Sequence, residues 1–310
     1  MNILLLGGAG FIGTNLLIQL SGNPLNRITV VDRESSFFTH IEELGLSNVK
    51  TVVSKLSADE NYDALLVNQD VVYHLISTSM PTNSNQRIPE ELKANVLLSA
   101  TILEACARQK VGKVAFISSG GTVYGKESSC PLSEETPTNP ISSYGVQKIT
   151  IEKLLYLYNY MYGLDYRIIR LANPYGPYQR PNGVLGAVTT FTWKAIHGEQ
   201  IEVYGDGSVV RDFIFIDDAI RGILNIVDGN TREHVFNLGS GRGTSIRQVL
   251  ETIEKVLNVK LNVKYSKARL VDVPVNYLDI SRYEAAFGPL RPVQLAEGIQ
   301  RTAAFMRSRT

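Results

Sequence analysis

Tyr144 and Lys148 are four residues apart in the segment 142–148, SSYGVQK. Residues at positions i and i+4 of an α-helix lie on the same face, so this spacing would place an ammonium beside a phenol. A positive neighbour favours the phenolate and lowers a pKa that is about 10 in an unperturbed tyrosine. Tyr144 could then act as a general base toward a substrate hydroxyl, on a helix capped by Ser142 or Ser143.

A further hydroxyl partner for this pair is expected from the segment 116–125, FISSGGTVYG. Three side chains in it compete for the role: Ser118, Ser119 and Thr122. The spacing alone leaves the choice among them open.

The segment LLLGGAGFIG at the start of the chain has the pattern of a dinucleotide-binding turn. Gly7, Gly10 and Gly13 are three residues apart between an apolar strand pattern and a helical pattern, and Gly8 also completes G-x-G-x-x-G. Such glycines allow a tight turn, close approach of a pyrophosphate and tight packing of the helix on the strand. The motif by itself is weak, but its strand and helix context and the acidic residue discussed next strengthen it.

Asp32, nineteen residues past Gly13, would accept hydrogen bonds from the adenosine ribose. Its carboxylate would repel a ribose phosphate, which favours NAD. The neighbouring Arg33 could instead receive that phosphate, so NADP stays open as an alternative.

Alternating strand and helix patterns must position these residues. Apolar runs predict strands, and apolar periodicity predicts helices between them. The predicted strands are Asn2–Leu6, Ile28–Val31, Asp70–Leu75, Lys113–Ser118 and Tyr166–Leu171, and the predicted helices are Phe11–Leu20, Leu92–Arg108, Ile149–Tyr162 and Val188–His197. This order predicts an α/β fold, a doubly wound parallel sheet of the Rossmann type with a smaller C-terminal α/β substrate-binding lobe.

The composition of the chain changes near residue 174, where a segment rich in Pro and Gly, NPYGPYQRPNG, predicts loops. We expect a nucleotide-binding domain over residues 1–174, with returning segments at about 212–245, and a substrate lobe over residues 175–310. A hairpin-like turn is expected at Gly205–Gly207.

Composition excludes several classes of function. The net charge is +1 with no dense Lys/Arg block, so nucleic acid is not an expected partner. The two cysteines and four histidines have no metal-ligand spacing, which predicts no metal site and free thiols in a reducing compartment. The N-terminal apolar run is too short for a membrane span. We therefore expect a soluble cytoplasmic protein with a small-molecule partner.

With these motifs in place, the chain resembles the extended short-chain dehydrogenase/reductase family, in particular its nucleotide-sugar branch, which includes the UDP-glucose (UDP-galactose) 4-epimerases. The resemblance covers nearly the whole chain. Its motifs are GGAGFIG, Asn95 in KANVLLSATILEA, SSGGTVYG, YGVQK, RLANPYGP, GDGSVVRDFIFIDD, FNLGSG and RLVDVP.

The resemblance implies an NAD-dependent enzyme that removes hydride from C4 of a UDP-sugar, lets the keto sugar rotate and returns hydride to the other face. In the family Tyr144 is the base, and Lys148 is its partner and also binds the nicotinamide ribose. The positions that would contact the cofactor are Gly7, Gly10, Phe11, Ile12, Gly13, Asp32, Arg33, Leu75, Asn95, Ser118, Tyr144, Lys148 and Leu171.

Gly120 stands where family epimerases usually carry the bridging Ser or Thr. On an extended backbone Ser119 would point to the opposite face and Thr122 to the same face, which favours Thr122, with Ser119 or a bound water as alternatives. Related dehydratases carry an Asp-Glu pair after this position and decarboxylases a Glu. The residues here are Gly121 and Thr122, which favours epimerisation.

For the sugar nucleotide, the resemblance implies that arginine forks bind the diphosphate, at Arg211 and Arg269. Asn173 would contact a phosphate, and the segment 183–188, which includes Val184, would border the uracil. Asn276, four residues after Asp272, matches the position that sets pocket width beside the sugar C2 substituent. Because Asn is smaller than the Tyr found in some relatives, we expect tolerance of N-acetyl sugars.

Relatives commonly dimerise through two helices, which correspond here to the predicted helices 92–108 and 149–162. The second carries Tyr156, Tyr158, Tyr160 and Tyr162, for which a core or dimer-packing role is expected. A homodimer is therefore implied. Two alternatives to 4-epimerisation of a UDP-hexose remain: another nucleotide-sugar epimerase or a reductase, and a non-catalytic dinucleotide-binding regulator.

Overall fold

The computed structural model describes residues 1–79, 84–126, 129–181, 186–268 and 273–309. Its strands, in chain order, are β1 (Asn2–Leu6), β2 (Arg27–Asp32), β3 (Val49–Val53), β4 (Val71–His74), β5 (Lys113–Ser119), β6 (Tyr166–Leu171), β7 (Asn173–Tyr175), β8 (Ile201–Tyr204), β9 (Val210–Arg211), β10 (Phe213–Phe215), β11 (Val235–Leu238), β12 (Thr244–Ser245), β13 (Val263–Ser266) and β14 (Val275–Asn276).

The α-helices are α1 (Phe11–Ser21), α2 (Thr39–Glu42), α3 (Asp63–Leu66), α4 (Ile88–Glu91), α5 (Leu98–Arg108), α6 (Ser143–Tyr162), α7 (Ala187–His197), α8 (Ile216–Asp228), α9 (Ile246–Leu257), α10 (Ser281–Phe287) and α11 (Leu295–Arg307). A 3-10 turn covers Ser35–Phe37, and a π-helical segment, Leu92–Leu97, joins α4 to α5.

A seven-stranded sheet with the order β11-β6-β5-β4-β1-β2-β3 forms the centre of the fold. The pairs β1–β2, β1–β4, β2–β3 and β4–β5 are parallel, with Ile3 opposite both Ile28 and Val71. The crossover order, with β1 between β4 and β2, is that of a doubly wound sheet. The predicted fold class is therefore confirmed. It places the carboxyl ends of β1, β4 and β5 along one edge, where such folds bind their ligands.

Backbone contacts divide the chain into two compact units. Unit 1 consists of residues 1–118, 142–169 and 230–235, and unit 2 of residues 119–141, 170–229 and 236–310. The core of unit 1 is a large apolar cluster from strands and helices that includes Leu4, Val72, Phe116 and Ile151. Unit 2 contains a smaller cluster around Ile201, Val203 and Leu250.

Unit 2 corrects one expectation from the sequence. Gly205 and Gly207 have φ of +80° and +81° and form a turn, but the strands on either side do not pair as a hairpin. Strand β8 pairs with β13, and β9 pairs with β12 and β14. Long-range partners therefore replace the local one that the glycines suggested.

Two structural features bear on the class of function: membrane-spanning helices and clusters of metal-binding side chains. Within the described ranges, no helix has the length and apolar character needed to cross a lipid bilayer. The same residues contain no group of three or more His, Cys, Asp or Glu arranged to hold a metal ion.

Candidate active site

The turn between β1 and α1 forms a cradle in unit 1. Gly7 has φ of +75°, a conformation that favours glycine, and a Cβ there would lie 3.1 Å from the Ile76 backbone nitrogen. A Cβ on Gly13 would overlap the Gly8 carbonyl oxygen, because α1 packs directly on the turn. At Gly10, the N-cap of α1, a Cβ would meet only the Gly7 carbonyl oxygen, at 3.6 Å, among the described atoms.

The space at Gly10 lies at the N-terminus of a helix with no side-chain cap. Backbone N–H groups there attract phosphate oxygens, and a side chain larger than glycine would obstruct their approach. The turn therefore fits the pyrophosphate of a dinucleotide. Phe11 and Ile12, in the first turn of α1, are half-buried.

Asp32, the last residue of β2, is fixed beside this turn. Its Oδ2 accepts a hydrogen bond of 3.1 Å from the Ala9 backbone nitrogen, and its Oδ1 accepts one of 2.8 Å from that of Arg33. The exposed Arg33 side chain lies 3.4 Å from Glu34 and over the Phe37 ring. The carboxylate therefore stands at the end of β2, where a ribose hydroxyl would find an acceptor.

The helix that carries Tyr144 and Lys148 begins at Ser143, as the capping expectation requires and six residues before the helix 149–162 predicted from apolar periodicity. Ser142 is the N-cap of α6, and its side chain accepts a hydrogen bond from the Gly145 nitrogen. The Ser84 hydroxyl accepts one from the Tyr144 nitrogen at 3.1 Å, and the Asn85 side chain accepts one from the Ser143 nitrogen at 2.7 Å. These contacts fix the first turn of α6, from which the half-buried Tyr144 side chain extends.

Lys148 is buried one helical turn further along α6. Its Nζ donates a hydrogen bond of 2.8 Å to the Ile117 carbonyl oxygen of β5 and lies 5.5 Å from the centre of the Tyr144 ring. Burial lowers the Lys148 pKa to about 8, and the Glu152 carboxylate acts in the opposite direction. The Lys148 ammonium is thus held beside the Tyr144 ring.

The three hydroxyl candidates differ in their hydrogen bonding. Ser118, in unit 1, donates to Glu152 Oε1 at 2.5 Å, and Ser119, at the start of unit 2, is half-buried. Thr122 Oγ1 is buried, with no hydrogen-bond partner among the described residues. Because such an atom carries an energetic cost, Thr122 has the unused hydrogen-bonding capacity that a ligand could satisfy.

The backbone around Thr122 corrects the geometric argument made from the sequence. Strand β5 ends at Ser119, and residues 120–122 form a turn, so the alternation of an extended strand does not apply there. Gly120 donates its N–H to the Leu171 carbonyl oxygen. A Cβ on Gly120 would lie 2.5 Å from Leu278 Cδ1 and 3.1 Å from the Arg170 carbonyl oxygen, so the Leu278 side chain occupies the place of any side chain at position 120.

Asn95 orders the segment that follows β4. Its Oδ1 accepts hydrogen bonds from the Thr78 nitrogen and hydroxyl, and its Nδ2 donates to Ser79 Oγ and to the Glu91 carbonyl oxygen. These four bonds use the full capacity of the amide. Direct contact of Asn95 with a cofactor stays a prediction. Leu75, which donates its N–H to the Leu6 carbonyl oxygen, begins the same segment next to Gly7.

In unit 2, Asn173 lies beside a buried carboxylate that the sequence analysis did not single out. Asn173 Nδ2 donates to the Asp212 carbonyl oxygen at 2.9 Å. The Asp212 side chain accepts hydrogen bonds from the Ser240 nitrogen and hydroxyl and from the Leu278 nitrogen. Burial raises the Asp212 pKa. The local sequence does not predict these hydrogen bonds of Asp212, because Ser240 and Leu278 are distant from it in the chain.

Two further predicted substrate residues also lie in unit 2. Arg211 Nη1 donates to the carbonyl oxygens of Val210 and Val273, at 2.9 and 2.6 Å. Asn276 is buried, and its Nδ2 lies 3.5 and 3.4 Å from the carbonyl oxygens of Gly120 and Gly121. Val184, Arg269 and Asp272 lie outside the described residues. The roles of all these residues stay predictions.

Glu152 is a charged residue of unit 1 that the sequence analysis missed. It lies on α6, eight residues after Tyr144 and four after Lys148, and it is buried. The signal was present, because i, i+4 and i+8 follow one helical face. His74 of β4 was also not assigned. It is buried and accepts or donates at Nε2 toward Ser99 Oγ at 2.8 Å, and burial lowers its pKa to about 3.

A parallel sheet with a glycine cradle after its first strand and a tyrosine–lysine pair on a later helix defines a dinucleotide-binding enzyme of the Rossmann class. The family model described as "NAD dependent epimerase/dehydratase family" matches residues 3–239. The chain belongs to this family. It is an NAD-dependent nucleotide-sugar epimerase, an isomerase, and the glycine cradle and Asp32 fit the pyrophosphate and the adenosine ribose of NAD.

Individual relatives agree with this assignment. The UDP-glucose 4-epimerase of Mycolicibacterium smegmatis is 31% identical over 312 residues, covering 100% of both chains. The UDP-N-acetylglucosamine 4-epimerase of Methanobrevibacter ruminantium, solved with UDP-N-acetylmuramic acid, superposes with a TM-score of 0.92 at 27% identity, covering 100% of this chain and 99% of that one. The UDP-glucuronic acid 4-epimerase of Bacillus cereus, solved with UDP-glucuronic acid and NAD, has a TM-score of 0.90 at 27% identity and covers 100% of both chains.

Proposed function

We propose that this protein interconverts the C4 epimers of a UDP-hexose, UDP-glucose and UDP-galactose, and that it accepts the N-acetylated pair as well. The observation that carries the proposal is the buried Lys148 ammonium, 5.5 Å from the centre of the Tyr144 ring. The UDP-glucose 4-epimerase among the relatives supports the hexose, and the UDP-N-acetylglucosamine 4-epimerase supports the N-acetyl pair.

Proton transfer is the task of Tyr144. As the C4 hydroxyl is oxidised, its proton passes to the Tyr144 phenolate, and the same proton returns when the ketone is reduced from the other face. Lys148 stabilises the phenolate throughout the cycle by its positive charge. When bound, NAD supplies a reversible hydride acceptor, so that the carbinol carbon is oxidised and reduced with no net redox change.

The bridging hydroxyl is assigned to Thr122. Its Oγ1 is the buried hydroxyl without a partner among the described residues, whereas Ser118 already donates to Glu152. Donation from Thr122 Oγ1 to the substrate C4 oxygen would satisfy this atom and orient the reacting hydroxyl. Ser119 and a bridging water remain the alternatives that mutation separates.

Recognition of the sugar nucleotide is assigned to unit 2. Asn173 and Arg211 would contact the diphosphate, as would Arg269, while Val184 would border the uracil. Asp272 is proposed as a further substrate-binding residue. Asn276 is proposed to lie beside the C2 substituent. Its buried amide is shorter than a tyrosine side chain and would leave room for an N-acetyl group.

A homodimer is proposed from the surface of α6. Four large side chains from two adjacent turns of this helix are exposed, and we name them the tyrosine face: Tyr156, Leu157, Tyr160 and Met161. Exposed apolar and aromatic side chains grouped on one helical face are typical of a protein–protein interface. A second copy of the same chain is the proposed partner.

Activity assays on a panel of nucleotide sugars test the function. Purified protein is incubated separately with UDP-glucose, UDP-galactose, UDP-GlcNAc, UDP-GalNAc, UDP-glucuronic acid and dTDP-glucose, the products are resolved chromatographically, and cofactor released by denaturation is measured. We expect both C4 epimers of the glucose and N-acetylglucosamine pairs, with NAD released. Conversion of UDP-glucuronic acid or dTDP-glucose alone would contradict the proposed substrate, and net consumption of NADPH would indicate a reductase instead.

A further inference from the structure

Glu152 extends the line of functional groups on α6. Tyr144, Lys148 and Glu152 occupy positions i, i+4 and i+8, so their side chains leave the helix on one face. Lys148 is 6% exposed and Glu152 is 4% exposed. Two oppositely charged groups are therefore buried one turn apart, directly after the proposed catalytic phenol.

The end of strand β5 holds both charged groups. Lys148 Nζ donates to the carbonyl oxygen of Ile117 at 2.8 Å, and the next residue, Ser118, donates its hydroxyl to Glu152 Oε1 at 2.5 Å. Neighbouring residues of one buried strand thus fix the ammonium and the carboxylate. The Ser118 hydroxyl holds Glu152 Oε1 at the end of the same strand that holds Lys148 Nζ.

The titratable groups around Lys148 show why this negative charge matters. Burial lowers the Lys148 pKa to about 8, and Glu152 is the described group that raises it. His74 of β4 packs against the Phe116 ring that Lys148 Nζ also contacts, and burial, with the Lys148 charge, lowers the His74 pKa to about 3. Tyr144 precedes Lys148 on the same helix, and Tyr166 of β6 lies near Glu152, where burial raises the Tyr166 pKa.

We propose that Glu152 is a positioning residue of the proposed epimerase site: its carboxylate, held by Ser118, is the fixed negative charge that keeps Lys148 protonated inside the protein. The inference rests on the proposed function, because it explains how a fully buried ammonium remains available to stabilise the Tyr144 phenolate. Burying a cation without a compensating anion would favour its neutral form.

Lysine titration by nuclear magnetic resonance tests the charge directly and needs no substrate. The protein with its bound cofactor is labelled with ¹³C-lysine, and the Lys148 Cε resonance is assigned by its absence in Lys148→Met. Glu152→Gln keeps the side-chain size and removes the charge. Because Glu152 raises the Lys148 pKa, we expect the titration midpoint to fall by about one pH unit or more in this variant.

Two further variants complete the titration test. Glu104→Gln removes an exposed glutamate from α5 and should leave the Lys148 midpoint unchanged. Ser118→Ala removes the hydrogen bond to Glu152 and should move the midpoint in the same direction by a smaller amount, which keeps the test valid if Glu152→Gln does not fold. An unchanged midpoint in Glu152→Gln, or in Ser118→Ala where only that variant folds, would overturn the proposal.

The pH dependence of turnover provides a second readout. Loss of the Lys148 proton should end activity on the alkaline side, so the alkaline limb of the kcat profile should move to lower pH in Glu152→Gln and return toward wild type in Glu152→Asp, which retains the charge. A uniform loss at every pH would mean that Glu152 acts only in packing, contradicting the inference. If the midpoint shifts but no sugar of the panel is epimerised, the charge role stands and the proposed function fails.

Discussion

At the scale of single residues, the proposed mechanism assigns proton transfer to one oxygen atom, the Tyr144 hydroxyl. Tyr144→Phe removes that atom and leaves the ring and helix α6 unchanged. We expect kcat to fall by about 10²- to 10⁴-fold, the usual contribution of a general acid–base group. The far-ultraviolet circular dichroism spectrum and the NAD released on denaturation should remain those of the wild type.

Tyr160→Phe is the matched control, because Tyr160 lies on the same helix and is 80% exposed. Its kcat should equal that of the wild type. Wild-type turnover in Tyr144→Phe would remove Tyr144 from the mechanism.

The buried Thr122 hydroxyl allows activity and stability to be separated. Thr122→Val has nearly the same shape and removes an oxygen that has no hydrogen-bond partner among the described residues. No protein hydrogen bond is lost, so the free energy of unfolding should stay within about 0.5 kcal/mol of wild type or rise. If Thr122 Oγ1 bridges to the substrate, kcat should fall about 10- to 100-fold, the effect of one hydrogen bond to a reacting group.

Ser119→Ala serves as the comparison for Thr122→Val. The kcat of this variant should stay within about twofold of wild type, because the proposal gives the Ser119 hydroxyl no hydrogen bond to the substrate. A large loss in Ser119→Ala with normal turnover in Thr122→Val would reverse the assignment, and normal turnover in both would favour a bridging water. Urea titration of each variant supplies the stability measurement.

Some contacts of the site residues could be predicted from the sequence, and others could not. The Tyr144–Lys148 proximity and the Asp32 contact with the glycine turn follow from helical spacing and from the strand–turn–helix pattern. The crowding at Gly120 could not be predicted, because it depends on Leu278, a residue far away in the chain. Glu152 was open to prediction from its i+4 spacing to Lys148, but its burial and its bond to Ser118 depend on the packing of α6 against β5.

At the scale of secondary structure, the spacing of apolar residues and the N-cap serine predicted most of the helices and strands near the site. Strands β1 and β6 have the predicted bounds, and Ser142 caps α6 as expected. The π-helical segment before α5 and the turn after β5 were not predicted, since both are set by tertiary contacts. Asn95, for example, belongs to the π-helical segment and bonds to residues that follow β4.

The turn after β5 predicts the result of restoring a side chain at position 120. In Gly120→Ser the new Cβ would lie 2.5 Å from Leu278 Cδ1 and 3.1 Å from a backbone carbonyl oxygen. Overpacking of this kind costs about 1–3 kcal/mol, so the urea midpoint should fall. We expect no gain in kcat from the added hydroxyl.

Leu278→Ala provides the test of cause. Alone it should destabilise by about 2–5 kcal/mol, because it empties a buried site. Combined with Gly120→Ser it should cost about 1 kcal/mol less than the sum of the single changes, since the clash is removed. Additive costs would mean that Leu278 is not what requires glycine at position 120.

At the scale of the whole molecule, the two units are each built from three separated segments of the chain. Composition and loop texture suggested domains at 1–174 and 175–310 with a return at about 212–245, and this functional division stays a prediction. Late segments of the chain rejoin the central sheet through long-range strand pairing, such as that of β11 beside β6, and local sequence patterns do not specify such pairs. The expected cytoplasmic location also stays a prediction.

Assembly is the property of the whole molecule that the tyrosine face of α6 predicts. Tyr156 and Tyr160, 60% and 80% exposed, are one helical turn apart, and a second copy of the chain would remove them from water. The double variant Tyr156→Lys, Tyr160→Lys would place like charges opposite each other in a symmetric dimer. Light scattering after size exclusion should give twice the 34.3 kDa chain mass for the wild type and the single-chain mass for this variant.

The control for the assembly experiment is Tyr265→Lys, which changes an exposed tyrosine of unit 2 that lies outside the tyrosine face. It should keep the wild-type mass, because the added charge would not meet its symmetry mate. The double variant should also keep its NAD content, since neither tyrosine belongs to the proposed cofactor site. A monomeric wild type, or a dimer that survives both lysines, would contradict the assignment of this face to self-association.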